Sequence, residues 1–176
     1  MPGWPQEMEW NRRFGTGQAE VYSVALANLI GGSALEVIAG TSNNSSSGGT
    51  PDEPTPNLYA WTGDGKLLEG FPTWHRRAGI YGMVAAGDIN RDGCMEIVAP
   101  SDHRWLHVYD DHGGYLPGWP VETYIDPRRQ QGHPYMEFTR NAPALADLDG
   151  DGKIEVVAAG RVKDIGQRYD KLTFKY

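Results

Sequence analysis

The chain has 176 residues with a formal net charge of −7, including 23 glycines, 12 prolines and one cysteine. The moderate acidity argues against a nucleic-acid partner, and the lone cysteine excludes a disulfide within the chain. No apolar stretch approaches the roughly 18 residues that a membrane span needs, and no secretory signal follows Met1. Abundant glycine and proline without long helical periodicity predict an all-β fold.

The predicted elements repeat along the chain. Residues 1–19 are expected to form the end of a preceding unit and a linker, and residues 20–74 the first full unit. A second unit covers residues 78–124, and residues 137–176 form a third, incomplete unit. In each unit an apolar run, a nine-residue loop and a second apolar run predict an antiparallel hairpin. The period of roughly 50–60 residues is typical of propellers and other arrays.

A second repeated motif, Gly-aromatic-Pro, supports the same repeat length of roughly 50–60 residues. It occurs with Trp4, Phe71 and Trp119 as its aromatic residues, in two cases after a strand and a glycine-rich turn. Because these aromatics recur at one position of the repeat, we expect them to pack between neighbouring units. Each complete unit therefore reads as four strands, with the nine-residue loop between the first two.

The nine-residue loops carry the chemistry. In the Asp147 loop (residues 147–155), acids stand at positions 1, 3, 5 and 9 with a glycine at position 6. This odd spacing lets a tight loop aim its oxygens inward at a hard cation such as Ca²⁺. The Asp88 loop (residues 88–96) has the same frame with Asn90 at position 3, so we expect weaker binding there. The Asn28 loop (residues 28–36) keeps only the last acid, and we predict no metal in it.

The loops and the Gly-aromatic-Pro word resemble the FG-GAP repeat of integrin α-subunits and the related VCBS-type repeats of bacterial and archaeal extracellular proteins. The resemblance is strongest at residues 88–99 and 147–158. It implies structural Ca²⁺ and an extracellular or cell-surface location, with any secretion signal outside this chain. The ligands it implies are side chains and one backbone carbonyl in each loop: Asp147, Asp149, Asp151 and Glu155 with the carbonyl of Lys153, and Asp88, Asn90, Asp92 and Glu96 with the carbonyl of Cys94.

The implied fold is a β-propeller segment of about three four-stranded blades. Three blades cannot close a ring, because propellers have at least about four. The segment is therefore expected either to continue in a longer propeller or to be completed by association of copies. The strand at the start and the incomplete unit at the end are complementary, so two chains could form a six-bladed ring by exchanging that strand.

Arginines beside aromatics recur in the connections between units, on the face predicted to lie opposite the calcium loops. Such groups can hold anions and stack on sugar rings, which favours an acidic glycan or a carboxylate-bearing protein loop as ligand. The structural alternative is that the arginines pair with acids of a neighbouring blade. The candidate ligand-binding residues are Arg12, Arg13, Trp74, Arg76, Arg77, Arg128, Arg129, His133 and Tyr135.

The favoured function is a calcium-binding module for extracellular recognition or assembly, with Ca²⁺ in a structural role. Two alternatives stay open. One is part of a calcium-dependent polysaccharide lyase acting on acidic glycans, and the other is a structural subunit of an extracellular filament or sheath. The sequence shows no nucleophile elbow, phosphate-binding glycine loop or zinc spacing, so enzymatic activity is left undecided.

Overall fold

The computed structural model describes residues 2–8, 20–41, 54–76, 79–101, 104–123, 135–138, 141–163 and 168–175. Within these ranges the chain is all-β, as predicted, and its strands form three antiparallel sheets. None of these residues forms a helix long and apolar enough to cross a membrane.

The first sheet is a meander of four sequential strands, with the Asn28 loop at its first hairpin. Its strands are β1 (Val21–Ala27), β2 (Glu36–Thr41), β3 (Pro54–Trp61) and β4 (Thr73–Arg76). The register pairs Ala27 with Glu36, so the loop closes directly on the hairpin ladder.

The second sheet repeats this order around the Asp88 loop. Its strands are β5 (Ala85–Gly87), β6 (Glu96–Pro100), β7 (Trp105–Tyr109) and β8 (Val121–Glu122). Every residue of β6 is buried, which agrees with its continuous apolar run, because a strand covered on both faces has no solvent side.

The third sheet holds the Asp147 loop and contains one strand that the sequence did not predict. Strand β9 (Tyr135–Glu137) pairs with the far end of β11 (Glu155–Lys163), beyond β10 (Ala144–Ala146). Strand β12 (Arg168–Lys175) pairs with β11 on the other side, and no fourth strand lies beside it among the described residues.

Two apolar clusters join consecutive sheets. In the first, Ile38 and Leu58 of the first sheet pack with Ile97 of the second. In the second, Val98 of the second sheet packs with Val156 of the third. Ile97 and Val98 are adjacent on β6, so their side chains point to opposite faces of the second sheet. One contacts the first sheet and the other contacts the third. Burying each such side chain contributes about 1.5–3 kcal/mol. The first strands β1, β5 and β10 lie beside one another in succession.

The Gly-aromatic-Pro turn at Gly70 also joins the first and second sheets. Gly70 has φ +86°, and a Cβ there would lie 2.6 Å from the His112 carbonyl carbon and closer still to its oxygen. Gly3 makes the equivalent approach to Asp64. Only glycine permits so close a backbone contact at positive φ. The aromatic that follows is packed, as predicted: Phe71 lies in the first cluster, and the Trp4 indole donates to the Gly63 carbonyl at 2.9 Å.

Candidate metal centres

The Asp147 loop holds its first acid by two backbone hydrogen bonds. The amides of Gly150 and Gly152 donate to the two Asp147 carboxylate oxygens, each at 2.7 Å. Asp147, Asp149 and Asp151 each offer one oxygen, and these three atoms lie within 4.8 Å of one another. Two oxygens that bind one Ca²⁺ at 2.3–2.6 Å can be at most about 5.2 Å apart, so the spacing fits a shared cation.

The glutamate at position 9 anchors all three loops. Its Oε2 accepts from the backbone amide of position 2: from Leu29 to Glu36 at 2.7 Å, from Ile89 to Glu96 at 2.7 Å, and from Leu148 to Glu155 at 2.8 Å. Sequence reasoning missed this role. The signal was available, because the Asn28 loop retains Glu36 after losing every other acid.

The Asp88 loop has the same hydrogen-bond frame, with an amide at its centre. The Asn90 Oδ1 accepts from the Asp92 amide at 2.8 Å, and its Nδ2 donates to Asp92 Oδ2 at 2.8 Å and to Glu96 Oε1 at 3.1 Å. The side-chain amide therefore supplies the positive end of a dipole between two carboxylates. In the Asp147 loop the equivalent residue is Asp149, which has no such donor to offer.

Two observations in the Asp88 loop fit a cation. The Asp88 Oδ1 is buried and has no hydrogen-bond partner among the residues that the structure describes. A buried polar atom without a partner is costly, and metal coordination would satisfy it. The pKa of Glu96 is raised, first by burial and then by the charges of Asp92 and Asp88, although backbone hydrogen bonds oppose the shift. A bound cation would offset both the burial of the Glu96 carboxylate and its repulsion by Asp92 and Asp88.

Two cationic side chains lie beside the Asp147 loop. Lys153 Nζ donates to Asp151 Oδ2 at 3.0 Å, and the Arg91 guanidinium, which comes from the Asp88 loop, lies against Gly152. The pKa of Asp151 is lowered, first by the hydrogen bond from the Lys153 backbone amide, then by the Lys153 side chain, with a smaller contribution from the charge of Arg91. These cations offset part of the negative charge of the loop.

The Asn28 loop closes without acids at positions 1, 3 and 5. The Asn28 Nδ2 donates to the Gly32 carbonyl at 2.8 Å, and Gly31 and Gly32 both adopt positive φ. This hydrogen bond takes the place of the Asp-to-amide bonds of the other two loops. The expectation that no metal binds there stays a prediction.

The candidate ligand-binding residues are only partly described. Trp74 and Arg76 lie within β4, and Tyr135 lies within β9, so the prediction that they belong to connections between units is wrong. Their strands are set by pairing with β3 and β11, which the local sequence does not reveal. Trp74 is half exposed on the first sheet, and Tyr135 belongs to the third. The remaining candidates lie outside the described residues: Arg12, Arg13, Arg77, Arg128, Arg129 and His133.

One further cluster of metal-ligating groups was not anticipated from the sequence. Asp110, Asp111 and His112 converge in the turn after β7. The Asp110 Oδ1 accepts from the amides of His112 and Gly114, and His112 Nδ1 lies 2.7 Å from Asp111 Oδ1. These hydrogen bonds hold the turn that docks on Gly70, which gives the cluster a structural role.

Comparison with protein-family models and with characterised proteins gave no match for this chain.

Proposed function

We propose that the protein is a calcium-stabilised module of the β-propeller type that serves recognition or assembly outside the cell. The convergence of three carboxylate oxygens in the Asp147 loop carries this proposal. Without a cation these acids repel one another, whereas Ca²⁺ would take them as ligands together with Glu155 and the carbonyl of Lys153. The Asp88 loop is the second, weaker site, with Asp88, Asn90, Asp92, Glu96 and the carbonyl of Cys94 as ligands.

The proposed role of calcium is to clamp each hairpin at its tip. Strand β10 pairs with the start of β11 over only three residues, Ala144–Ala146 with Glu155–Val157. The loop between the two strands is therefore important for holding the hairpin together. An ion that binds only the folded state adds about 2.7 kcal/mol of stability when its concentration is 100 times its dissociation constant. Repeated sheets joined face to face then present a rigid surface for a partner.

The proposed partner is a protein or an acidic glycan. The support is Trp74 on β4. This residue is 51% exposed, although burial of a tryptophan side chain is strongly favourable. An exposed indole ring offers a platform on which a sugar ring or an arginine can stack. The role proposed here is recognition, and no catalytic step is assigned.

The experiment exchanges position 3 between the two loops. Asp149→Asn gives the Asp147 loop the amide of the other loop, and Asn90→Asp makes the reverse change. Each substitution is close to isosteric and changes one charge, so folding should be preserved. Calcium titration should show the Asp147 loop weakened by roughly tenfold and the Asp88 loop strengthened by a similar factor, which corresponds to about 1.4 kcal/mol.

The control is Asp111→Asn, which removes one charge from an acidic turn that has a structural role. It should leave the Asp147 loop unchanged. If each variant changes the calcium affinity of both loops by the same factor, lower when a charge is removed and higher when one is added, calcium responds to net charge alone. The assignment of ligands is then wrong. If neither loop responds to position 3, the proposed sites are wrong.

A further inference from the structure

Arg91 is a residue of the Asp88 loop that stands in a strained backbone conformation. It occupies position 4, where the other two loops have Gly31 and Gly150. All three residues adopt positive φ, +65° at Arg91, +80° at Gly31 and +78° at Gly150. This conformation costs an arginine free energy that a glycine avoids. Because the other loops fold with glycine at this position, the strain points to a role for the arginine side chain.

The Arg91 guanidinium reaches the neighbouring loop at Gly152. A Cβ on Gly152 would lie 3.2 Å from Arg91 Cζ and closer still to Nη2, so the glycine leaves the space that the guanidinium occupies. The Gly152 amide donates to Asp147 Oδ2 at 2.7 Å. Arg91 therefore contacts the residue that anchors the first acid of the Asp147 loop. At the equivalent Gly93, a Cβ would meet nothing within 4 Å among the residues that the structure describes.

The positive charge of Arg91 acts on two residues of the Asp147 loop. The pKa of Lys153 is raised, first by its hydrogen bond to Asp151 and then by the charge of that carboxylate, and the charge of Arg91 opposes the rise. The charge of Arg91 also contributes to the lowered pKa of Asp151, after the hydrogen bonds from Lys153. A Ca²⁺ held by this loop would repel the guanidinium, since like charges at short range oppose one another.

The backbone of Arg91 is held between two of the ligands proposed for the Asp88 loop. The Asn90 side chain accepts from the Asp92 amide and donates to the Asp92 carboxylate, both at 2.8 Å, so the two residues close around Arg91. A Ca²⁺ bound by Asn90 and Asp92 would fix this segment and hold the guanidinium at Gly152. A Ca²⁺ in the Asp147 loop would drive the guanidinium back toward the acids of its own loop, where it opposes a second cation.

We propose that Arg91 couples the two calcium loops, so that an ion in either loop weakens the binding of an ion in the other. This inference rests on the proposed function, because it requires both loops to bind calcium. Coupling between two sites is reciprocal, so one factor describes both directions. Residues 90–93 and 147–153 are exposed, and solvent screens their charges. We therefore expect a factor of about five, at the lower end of typical couplings.

The test follows calcium binding in each loop separately by NMR, through the amide signals of Gly93 and Gly152. The Asp147 loop fills first in the wild type, so the Gly93 signal then reports the affinity of the Asp88 loop beside an occupied neighbour. Asp147→Ala empties that neighbour, and the Asp88 loop should then bind Ca²⁺ about fivefold more tightly. Asp147→Asn, which nearly preserves the shape of the side chain, should shift the Asp88 loop in the same direction.

Variants of Arg91 test whether this side chain carries the coupling. In an Arg91→Gln background the factor should fall below about two, because the shared charge is gone. Arg91→Lys keeps the charge and should retain most of the factor. The matched control is Lys153→Gln, which also removes a cation beside Asp151 but belongs to the Asp147 loop alone. It leaves the Lys153 carbonyl in place, and the factor of about five should remain.

The other outcomes overturn the proposal. Equal affinity of the Asp88 loop beside a filled and an empty neighbour would mean that the loops are independent. A factor that survives Arg91→Gln would mean that the two ions act on each other without this side chain, and its loss in Lys153→Gln as well would mean that local charge alone sets it. Two calcium sites without coupling contradict only this inference, whereas a failure of Ca²⁺ to shift either glycine signal contradicts the proposed function and this inference with it.

Discussion

Alanine at Gly70 should destabilise the protein far more than alanine at Gly118, although both glycines occupy the same position of the Gly-aromatic-Pro turn. Their φ angles are +86° and +88°, so the conformational strain of the new side chain is the same in both variants. The surroundings differ. A Cβ at Gly70 meets the backbone of His112, whereas a Cβ at Gly118 has nothing within 4 Å among the described residues.

The magnitude follows from these two geometries. An L-residue at positive φ costs about 1–2 kcal/mol, which both variants share. At Gly70 the His112 carbonyl carbon must also retreat from 2.6 Å to about 3.4 Å, the start of ordinary contact, and a displacement of that kind costs about 1–3 kcal/mol. We therefore expect about 2–5 kcal/mol for Gly70→Ala and about 1–2 kcal/mol for Gly118→Ala.

The assay is urea unfolding at saturating Ca²⁺, with the difference between the two variants as the quantity of interest. For a chain of this size, 1 kcal/mol also corresponds to a shift of about 2–4 °C in Tm, so thermal melts offer a second reading. Equal destabilisation by the two substitutions would mean that the turn at Gly70 does not dock on the second sheet.

Three further predictions concern the loops. Arg91→Gln should tighten calcium binding in the Asp147 loop severalfold, because the guanidinium beside Gly152 opposes the cation, and calcium titration checks it. Glu36→Gln should lower the free energy of unfolding by about 1–3 kcal/mol with or without calcium, because it weakens a charged acceptor for the Leu29 amide, and chemical denaturation measures it. The pKa of the Cys94 thiol is raised, first by burial and then by the charges of Asp111 and the loop acids. Bound calcium should lower that pKa and so speed alkylation of Cys94 at pH 8. A pH profile of the alkylation rate that does not change with calcium would contradict binding in the Asp88 loop.

The hairpins and their loops were predictable because their signal is local. Acids at alternate positions ending in a glutamate, between two apolar runs, specify a tight loop and the strands on either side of it. The structure has β5–β6 and β10–β11 where this pattern stands. The glycines of the repeated turns were also visible, since they mark positive φ that other residues resist.

Features that depend on distant pairing were not predictable. Strand β9 forms because residues 135–137 pair with Arg161–Lys163, and the sequence of those three residues does not indicate this partner. Trp74 lies in a strand for the same reason, through pairing with Pro56. The retention of Glu36 in the Asn28 loop pointed to a structural role for the glutamate at position 9, but its partner, the amide of position 2, depends on the folded path of the loop.

Calcium binding by the two loops is tested by isothermal titration of the metal-free protein with Ca²⁺, repeated with Mg²⁺ and with Asp147→Ala. We expect two unequal calcium sites, a preference for Ca²⁺ over Mg²⁺, and loss of the tighter site in the variant. Absence of calcium binding, or a tighter site that survives Asp147→Ala, would contradict this expectation.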